Sequence, residues 1–409
     1  MIDLISECVH CGFCLPACPT YRSWGVEADS PRGRIDLMKG VVEGTLALDQ
    51  SVVEHFDRCL GCMACVTACP SGVRYDLLIE ATRAKVETQV RRSPFERWYR
   101  ALIFAVFPYP QRMLRLAPLM NLAARLGIQR FVRGGALLPT IDVAAAAAPL
   151  PERHAARGPM RARVGLLAGC VQRVMFPHVN AATIRVLCAE GCEVIVPPAA
   201  GCCGALSLHS GRAQEAKRFA RTLIERFEEA HVDAVIVNVA GCGSAMKQYG
   251  ELLADDPAWS ARAQAFAGKV RDVSEFLAEL EPRAVRRPMD AVVAYHDACH
   301  LAHAQRVREQ PRALLCTIPG LKLVEIPNGD QCCGSAGTYN LFEPASSREI
   351  GLRKIENVLA TGAPIVASGN PGCTLQMQAL LRERGVELKI VHPVEILDAA
   401  LDGRRMDEA

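Results

Sequence analysis

From about residue 161 onward, short apolar runs alternate with stretches that carry a helical pattern. Runs such as AVIVNV and PIVAS are rich in β-branched residues, which favour strands. Between such runs, the stretches from Ala213 to Ala230 and from Ser346 to Ala360 show the apolar spacing of amphipathic helices. Strands that alternate with helices in this way predict α/β units with parallel sheets.

This region also repeats itself once, with cysteines at matching positions. The strings VGLLAGC, GCCGAL and AVIVNVAGC recur as AVVAYHDAC, QCCGSAG and PIVASGNPGC, with matching cysteines about 130 residues apart. Such a constant offset indicates an internal duplication. We therefore predict two homologous units, residues 161–286 and 287–409, and call them the first and second CCG units after their Cys-Cys-Gly motif.

The N-terminal part has a helical pattern around two dense cysteine runs. Pro31 marks a helix start, because apolar residues follow it at helical spacing up to residue 44. A second helix is predicted from Asp76 to Arg92. We assign residues 1–92 to this helical module, so the fold class predicted for the whole chain is mixed, α+β followed by α/β.

Both cysteine runs have the spacing C-x2-C-x2-C-x3-C-P, which is the pattern of bacterial two-cluster ferredoxins. Three thiolates of each run wrap one cluster, and the fourth ligates the other cluster. Zinc sites show pairs of cysteines instead, and a disulfide framework does not suit a cytosolic chain. The expected ligands of the two [4Fe-4S] clusters are therefore Cys8, Cys11, Cys14 and Cys69 for the first, and Cys59, Cys62, Cys65 and Cys18 for the second. Arg32 and Arg34 either offset the negative charge of such a cluster or are ordinary exposed side chains.

Residues 93–160 differ in composition from the rest. There is no Asp or Glu from Arg97 to Ile141, whereas Arg residues alternate with aromatic and aliphatic ones. A basic amphipathic segment of this kind suits an anionic membrane surface or an acidic partner. The alternative is a pair of helices packed across the ferredoxin module. Residues 143–159, an Ala run with scattered Pro, are predicted to be a linker.

Charge and composition narrow the function classes. The formal net charge of +3 over 409 residues gives no support to nucleic-acid binding. The N-terminal sequence MIDLISE lacks the apolar region of a signal peptide, so the 19 cysteines point to metals in a reducing compartment. No apolar run reaches the length of a membrane span. We expect a cytoplasmic protein that is either soluble or peripheral at the inner face of the cytoplasmic membrane.

The cysteines of the CCG units follow strand-type runs or open helices. Sites in open α/β sheets form beyond the carboxyl ends of the strands, so four thiols per unit are expected to converge. The two sets are Cys170, Cys202, Cys203 and Cys242, and Cys299, Cys332, Cys333 and Cys373. Each set suits a further iron–sulfur cluster or a zinc ion, and inert buried thiols are the alternative. Gly204 and Gly334 are expected to let the backbone approach a cofactor closely.

Histidines accompany these cysteines. His296 and His303 flank Cys299 and are the candidate proton carriers, with metal ligation or a hydrogen bond to a ligand as the other roles open to them. His300 and His209 are weaker candidates, because an isolated histidine more often serves packing.

The strings CVHCGFC, SPRGRI, ACPSGVRY and CCGSAGTY, together with the two CCG units, resemble the iron–sulfur subunit of glycolate oxidase (glycolate dehydrogenase) over nearly the whole chain. The resemblance implies an electron-transfer subunit of a multi-subunit 2-hydroxy-acid dehydrogenase. It also implies that FAD is bound by the partner subunits only, and that electrons pass to a quinone or another membrane acceptor. The wider superfamily with the same CCG units includes lactate-utilisation proteins and heterodisulfide reductases.

The chain departs from the heterodisulfide-reductase pattern at one position in each unit. The last cysteine of that pattern is replaced by Ala245 and Gln376, which argues against a five-thiolate cluster and against disulfide-reducing chemistry. No G-x-G-x-x-G follows a strand, so the chain is not expected to oxidise a hydroxy acid alone. The alternatives are an electron-transfer subunit of a D-lactate dehydrogenase, a CCG-type reductase acting directly on a disulfide or quinone, and an assembly scaffold.

Overall fold

The computed structural model of the protein describes residues 2–128, 134–137 and 139–406. A helical N-terminal module is followed by two α/β units, each with a parallel sheet. The predicted mixed fold class is confirmed.

The N-terminal module consists of short helices around the cysteine loops. Their bounds are Ile2–Ser6, Pro19–Trp24, Pro31–Glu43, Gln50–Asp57, Ala64–Ala68 and Tyr75–Gln89, with a 3-10 turn at Glu27–Asp29. The helix predicted from residue 31 starts there because the Ser30 hydroxyl accepts a hydrogen bond from the Gly33 amide, which caps the first turn.

The two sheets have the same strand order, except that the first has one extra edge strand. The first contains β1 (Arg153–His154), β2 (Ala162–Leu166), β3 (Cys192–Ile195), β4 (Ala234–Val237) and β5 (Val270–Asp272), in the order β1-β3-β2-β4-β5. The second contains β6 (Ala291–His296), β7 (Leu321–Glu325), β8 (Ile365–Ser368) and β9 (Lys389–Val391), in the order β7-β6-β8-β9. Apart from β1, which pairs antiparallel with β3, both sheets are parallel. The shared topology supports the internal duplication.

Helices connect the strands and fill the space between the sheets. Those of the first unit are Val171–Met175, Pro177–Ala189, Ala205–His209, Ala213–Glu229, Ala240–Lys247, Tyr249–Leu252, Ser260–Lys269 and Val273–Glu279. Those of the second are the π-helical His300–Ala304, Glu309–Cys316, Tyr339–Phe342, Pro344–Leu359, Pro371–Glu383 and Pro393–Asp402. One hydrophobic core joins the units, because Val164 and Phe276 of the first pack in the same cluster as Val293 and Leu397 of the second.

The basic segment forms helices Pro94–Val106 and Pro110–Arg125 and a 3-10 turn at Gly135–Leu137. Met113 packs in one cluster with Val174 and Met175. The second helix of the basic segment therefore has its main apolar contacts with the CCG units rather than with the ferredoxin module. The predicted linker, 143–159, contains helix Val143–Ala147 and strand β1.

Two of the arginines that make this segment basic, Arg130 and Arg133, lie outside the described residues. No helix in the described ranges is long and apolar enough to cross a bilayer.

Candidate electron-transfer sites

The first cysteine loop lies at the protein surface. Its three cysteines and the one predicted to join them from the second run line a single cavity: Cys8, Cys11, Cys14 and Cys69. Cys11 is exposed, and Val9 and Phe13 beside it expose 67% and 65% of their area. The structure thus brings the first predicted ligand set together in an accessible position.

The second cysteine loop is buried. Cys59, Cys62 and Cys65 are each less than 10% exposed, and Cys18 lies in the same interior. Burial alone would raise the pKa of the Cys59 thiol. The charges of Arg34 and Arg83, together with hydrogen bonds from Tyr75 and the Gly61 amide, instead hold it below its ordinary value. Cys59 is therefore prepared to act as a thiolate.

The two loops share one backbone form. The third and fifth residues of each loop have left-handed backbone: His10 (φ 53°) and Gly12 (φ 87°) in the first, Gly61 (φ 62°) and Met63 (φ 61°) in the second. A left-handed residue turns successive amides toward a common point, which suits wrapping around an anionic cofactor. The same curvature in both loops fits two clusters of the same kind.

In the first CCG unit the four predicted thiols form a chain of neighbours. The Cys170 and Cys202 sulfurs lie 3.6 Å apart. Cys203 is the centre of the group, because hydrogen bonds from the thiols of Cys202 and Cys242 lower its pKa well below the ordinary value.

The second unit repeats this arrangement. Cys333 is the central thiol, and hydrogen bonds from Cys332 and Cys373 lower its pKa in the same way. Cys299 contacts Cys332 and completes the set. Each unit therefore contains one acidic central thiol surrounded by partners. The three cysteines without a counterpart, Cys188, Cys192 and Cys316, do not line the cavity that these sets share.

Both sets face one cavity between the units, which is partly open to solvent. Seven of the eight CCG cysteines line it, all but Cys332. The remaining wall is mostly apolar and includes Phe107, Met175, Leu206 and Leu341. No Lys, Arg, Asp or Glu is present among the described residues that line it. The cavity suits a neutral, apolar molecule.

The buried ferredoxin loop packs directly against this cavity. Leu60 and Cys62 share a hydrophobic cluster with Cys299 and Cys332 of the second unit. The Nε2–H of His300 donates to the Gly61 carbonyl at 3.1 Å, and His300 also lines the cavity. The predicted second cluster site is thus adjacent to the CCG cysteines.

Arg83 connects the same loop to the first unit. Its guanidinium donates to the carbonyl of Cys59 and, at 3.0 Å, to that of His209. Contacts with both units therefore fix the buried loop in place.

The structure separates the four histidines that accompany the cysteines. His296 and His303, the predicted proton carriers, do not line the cavity, whereas His209 and His300 do. The His303 ring instead joins two elements: Nε2 donates to the Asp330 carbonyl at 2.9 Å, and Nδ1 lies 2.7 Å from the Thr67 hydroxyl.

His209 and His300 stack with ring centroids 4.9 Å apart. Burial and the nearby His209 lower the pKa of His300 to about 3, so this ring is neutral. From the sequence, His209 and His300 are the weaker candidates, because the cavity that brings them together joins the two units and leaves no signal in sequence adjacency.

The two glycines after the Cys pairs have a different role from the one expected. Both have left-handed backbone, but a Cβ at Gly204 would meet the backbone of Ala216 at 3.1 Å, and one at Gly334 would meet the Ser347 carbonyl at 2.4 Å. These glycines allow the cysteine loop to pack against a helix, and it is helix backbone that they approach.

The donor sets fit the iron–sulfur cofactors that the cysteine motifs imply. Thiolates are the ligands of iron–sulfur clusters, and the eight cysteines of the ferredoxin module are divided between two loops of equal curvature. Buried Arg34 lies close to both Cys18 and Cys59, where it balances thiolate charge. Cys8, Cys11, Cys14 and Cys69 would hold one cluster, and Cys59, Cys62, Cys65 and Cys18 the other.

Three family models match separate parts of the chain. A 4Fe-4S dicluster domain matches residues 4–73, and a cysteine-rich domain matches residues 164–247 and 293–378. The model described as the linker region of the glycolate oxidase iron–sulfur subunit matches residues 95–146.

Two relatives named as glycolate oxidase iron–sulfur subunits match nearly the whole chain, and a third relative matches part of it. The chain is 40% identical to the probable glycolate oxidase iron–sulfur subunit of Bacillus subtilis, over 96% of this chain and 93% of the relative. It is 37% identical to the glycolate oxidase iron–sulfur subunit of Escherichia coli, over 98% and 95%. Lactate utilization protein A of Exiguobacterium is 31% identical, over 58% of this chain and 96% of that protein.

A solved structure shares the fold. A hypothetical protein from Helicobacter pylori superposes with a TM-score of 0.58 at 9% identity, over 91% of this chain and 68% of that one. Thiolate sets, family models and full-length relatives lead to the same assignment: the chain belongs to the family of glycolate oxidase iron–sulfur subunits, the iron–sulfur electron-transfer subunits of an oxidoreductase complex.

Proposed function

We propose that this chain receives electrons from FAD-containing subunits that oxidise glycolate and delivers them to a quinone-type acceptor in the cavity between the CCG units. The observation that carries the proposal is the contact of the buried ferredoxin loop, through Cys62, with Cys299 and Cys332 beside that cavity. Iron–sulfur clusters, when bound, supply one-electron transfer. Glycolate rather than D-lactate is favoured because the relatives named for glycolate oxidase match the full chain.

The first cysteine loop, at the protein surface, receives the electrons from the partner subunit. Cys11 is accessible, and exposed Val9 and Phe13 beside it offer an apolar contact for a partner subunit. Exposed apolar residues around a polar site are typical of interfaces between proteins. The FAD-containing partner therefore docks at this loop.

The cavity wall favours a neutral acceptor over a carboxylate. A 2-hydroxy or 2-oxo acid needs a cation to balance its charge, and the described wall offers none. An apolar wall with a few polar groups, such as Asn370 and Gln172, suits a quinone ring. Hydroxy-acid oxidation belongs to the partner subunits.

Reduction of a quinone also requires protons, and we assign their delivery to His209. This ring lines the cavity, and its Nδ1 is hydrogen-bonded to Glu80 at 3.1 Å. Its Nε2 has no hydrogen-bond partner among the described residues. Comparison of His209→Gln with His303→Gln tests the assignment: slower quinone reduction in the His303 variant alone would move the role to His303.

The basic segment is the membrane contact in this proposal. Its two helices and the residue after the second helix expose four large apolar side chains by 60% or more: Phe95, Trp98, Leu119 and Leu126. Together with exposed arginines and the absence of Asp and Glu from Arg97 to Ile141, these side chains suit an anionic lipid surface. The segment would hold the cavity close to the quinone pool at the inner face of the cytoplasmic membrane.

Substitution of Cys333, the central thiol of the second unit, tests whether electrons pass from this unit to the quinone. In the complex with its FAD subunits, Cys333→Ser should slow reduction of a quinone analogue at least tenfold, while glycolate still reduces the flavin. Cys316→Ser is the matched control, because Cys316 is exposed and lies outside the cavity. Normal quinone reduction by the Cys333 variant would place the exit at the ferredoxin module. Reduction of a disulfide by the isolated chain would support the direct-reductase alternative.

Vesicle binding tests the membrane contact. Replacement of Arg115 and Arg125 by Gln should weaken binding to anionic vesicles roughly 30-fold, at about 1 kcal/mol per arginine, and high salt should have the same effect. Replacement of exposed Arg306 and Lys322 by Gln removes the same charge elsewhere and should leave binding unchanged. Equal loss in both double variants would show only a general charge effect and exclude docking through the segment.

A further inference from the structure

His296 is a fully buried histidine without an ordinary partner. It ends strand β6, its exposed fraction is 0%, and neither ring nitrogen has a nitrogen or oxygen hydrogen-bond partner among the described residues, so its polar contact is with the Cys333 thiol. A buried polar group left unpaired costs on the order of 1–3 kcal/mol. A metal ion that binds a ring nitrogen at this position would reduce that cost.

Two cysteine sulfurs lie beside this ring. One ring nitrogen, the Cys333 sulfur and the Cys373 sulfur all lie within 4.8 Å of one another. Ligand atoms that share one metal ion at about 2.0–2.3 Å are separated by roughly 3.3–3.8 Å, so the three need only small shifts to bind one ion. The imidazole thus extends the thiol set of the second unit beside its central cysteine.

The first unit has no such group. Counting back three residues from Cys299 gives His296, and counting back three from the matching Cys170 gives Leu167, which packs in an apolar cluster with Cys203. The otherwise duplicated sites therefore differ in one potential ligand.

We propose that His296 is a metal ligand of the second CCG unit, so that an imidazole and thiolates together hold an iron–sulfur centre there. The four cysteines and His296 offer one donor more than either a zinc ion or a [4Fe-4S] cluster takes, so the imidazole can bind in place of one thiolate. Replacement of thiolate by neutral imidazole makes an iron–sulfur centre less negative and raises its reduction potential. Buried Lys354, close to Cys333, acts in the same direction.

The chemical consequence is a division of labour between the units. A centre of higher reduction potential in the second unit would be the direct electron donor to the acceptor. This part of the inference rests on the proposed function. The ligand assignment itself concerns only His296 and the sulfurs around it.

The test is pulsed EPR of the reduced, anaerobically purified complex, together with iron and zinc analysis. Wild-type protein should show a nitrogen hyperfine coupling that changes when histidine is labelled with ¹⁵N. His296→Leu, which copies the first unit, should lose this coupling, and His231→Gln, at an exposed site, should keep it. His296→Cys should retain the iron with a centre of lower potential.

Three results would overturn the inference: no histidine coupling in wild-type protein, a coupling that persists in His296→Leu, or stoichiometric zinc in the second unit without a paramagnetic centre. The measurement on wild-type protein tests for histidine ligation even when a variant fails to fold. A histidine coupling combined with normal quinone reduction by Cys333→Ser would leave the ligand in place and refute the exit route instead.

Discussion

The two cysteine loops of the ferredoxin module have the same spacing and the same backbone turns, but opposite surroundings. The first is at the surface, with Cys11 exposed, whereas Cys62 of the second is only 8% exposed and packs against a CCG unit. Ligand spacing alone therefore specifies the kind of cofactor, and the environment specifies what each site does. The accessible loop can meet a partner, and the buried loop can meet only its own chain.

Two arginines on one helix continue the contrast. Arg32 donates to the His10 carbonyl of the first loop at 3.0 Å and stays partly exposed beside Glu27. Arg34, two residues later, points to the opposite side and is 1% exposed beside Cys59 of the second loop. Both expectations from the sequence were therefore right in part: Arg34 is the charge partner of buried thiols, and Arg32 is a surface residue that steadies a loop.

Loss of a thiolate from the buried loop should have the largest effect. Cys62→Ser should remove one cluster, about four of eight irons in residues 1–92, and most electron flow to quinone, because a hydroxyl replaces thiolate poorly at a soft metal site. Iron analysis after anaerobic reconstitution measures the first effect, and steady-state quinone reduction the second.

Rescue of cysteine-to-glycine variants by an external thiol should show that the two loops differ in accessibility. A small external thiol should restore the cluster of Cys11→Gly, whose site is open, and fail with Cys62→Gly, whose site is closed. Rescue of both, or of neither, would mean that the difference in accessibility has no chemical consequence. Four irons or fewer in wild-type protein would contradict the two-cluster assignment itself.

Removal of a charge should give the next largest effect. Arg34→Gln leaves buried Asp29 with His55 at 2.9 Å and Arg58 at 3.2 Å, and deprives Cys59 of a charge that stabilises its thiolate. We expect a loss of about 3 kcal/mol, the lower end for breaking a buried ion pair, together with faster cluster loss.

Arg32→Gln is the control from the same helix. Its ion pair with Glu27 is solvated, so the unfolding midpoint should hardly change. Thermal unfolding and the decay of cluster absorbance, both under argon, report the two effects. Equal sensitivity of the two variants would show that burial beside the thiols is irrelevant.

The sequence predicted the ligand loops from local cysteine spacing and the duplication from strings that recur at a constant offset. It predicted poorly what depends on contacts between distant residues. His303 is close to Cys299 in sequence, yet the π-helical turn His300–Ala304 directs it to Thr67 of the ferredoxin module, 236 residues away. The cavity was beyond sequence reasoning for the same reason, because its wall joins Phe107 of the basic segment to both CCG units.

The smallest expected effect concerns the shared backbone of the two loops. Each loop has one glycine and one larger residue at its two left-handed positions, but in opposite order, so Gly61 corresponds to His10. A left-handed backbone costs a non-glycine residue about 1–2 kcal/mol, and glycine avoids this cost but loses more entropy on folding. His10→Gly should therefore stabilise the cluster-loaded chain by only about 0.5 kcal/mol.

The reciprocal change should act in the other direction and more strongly. Gly61→Ala imposes the strain, and its Cβ would approach the Arg83 guanidinium at 3.2 Å, which donates to the Cys59 carbonyl. We expect a loss of about 1–2 kcal/mol in unfolding free energy, read from anaerobic denaturation of both variants. If His10→Gly destabilised as much as Gly61→Ala, the left-handed turns would not be the common element of the two loops. The equal curvature would then follow from the bound clusters rather than from the chain.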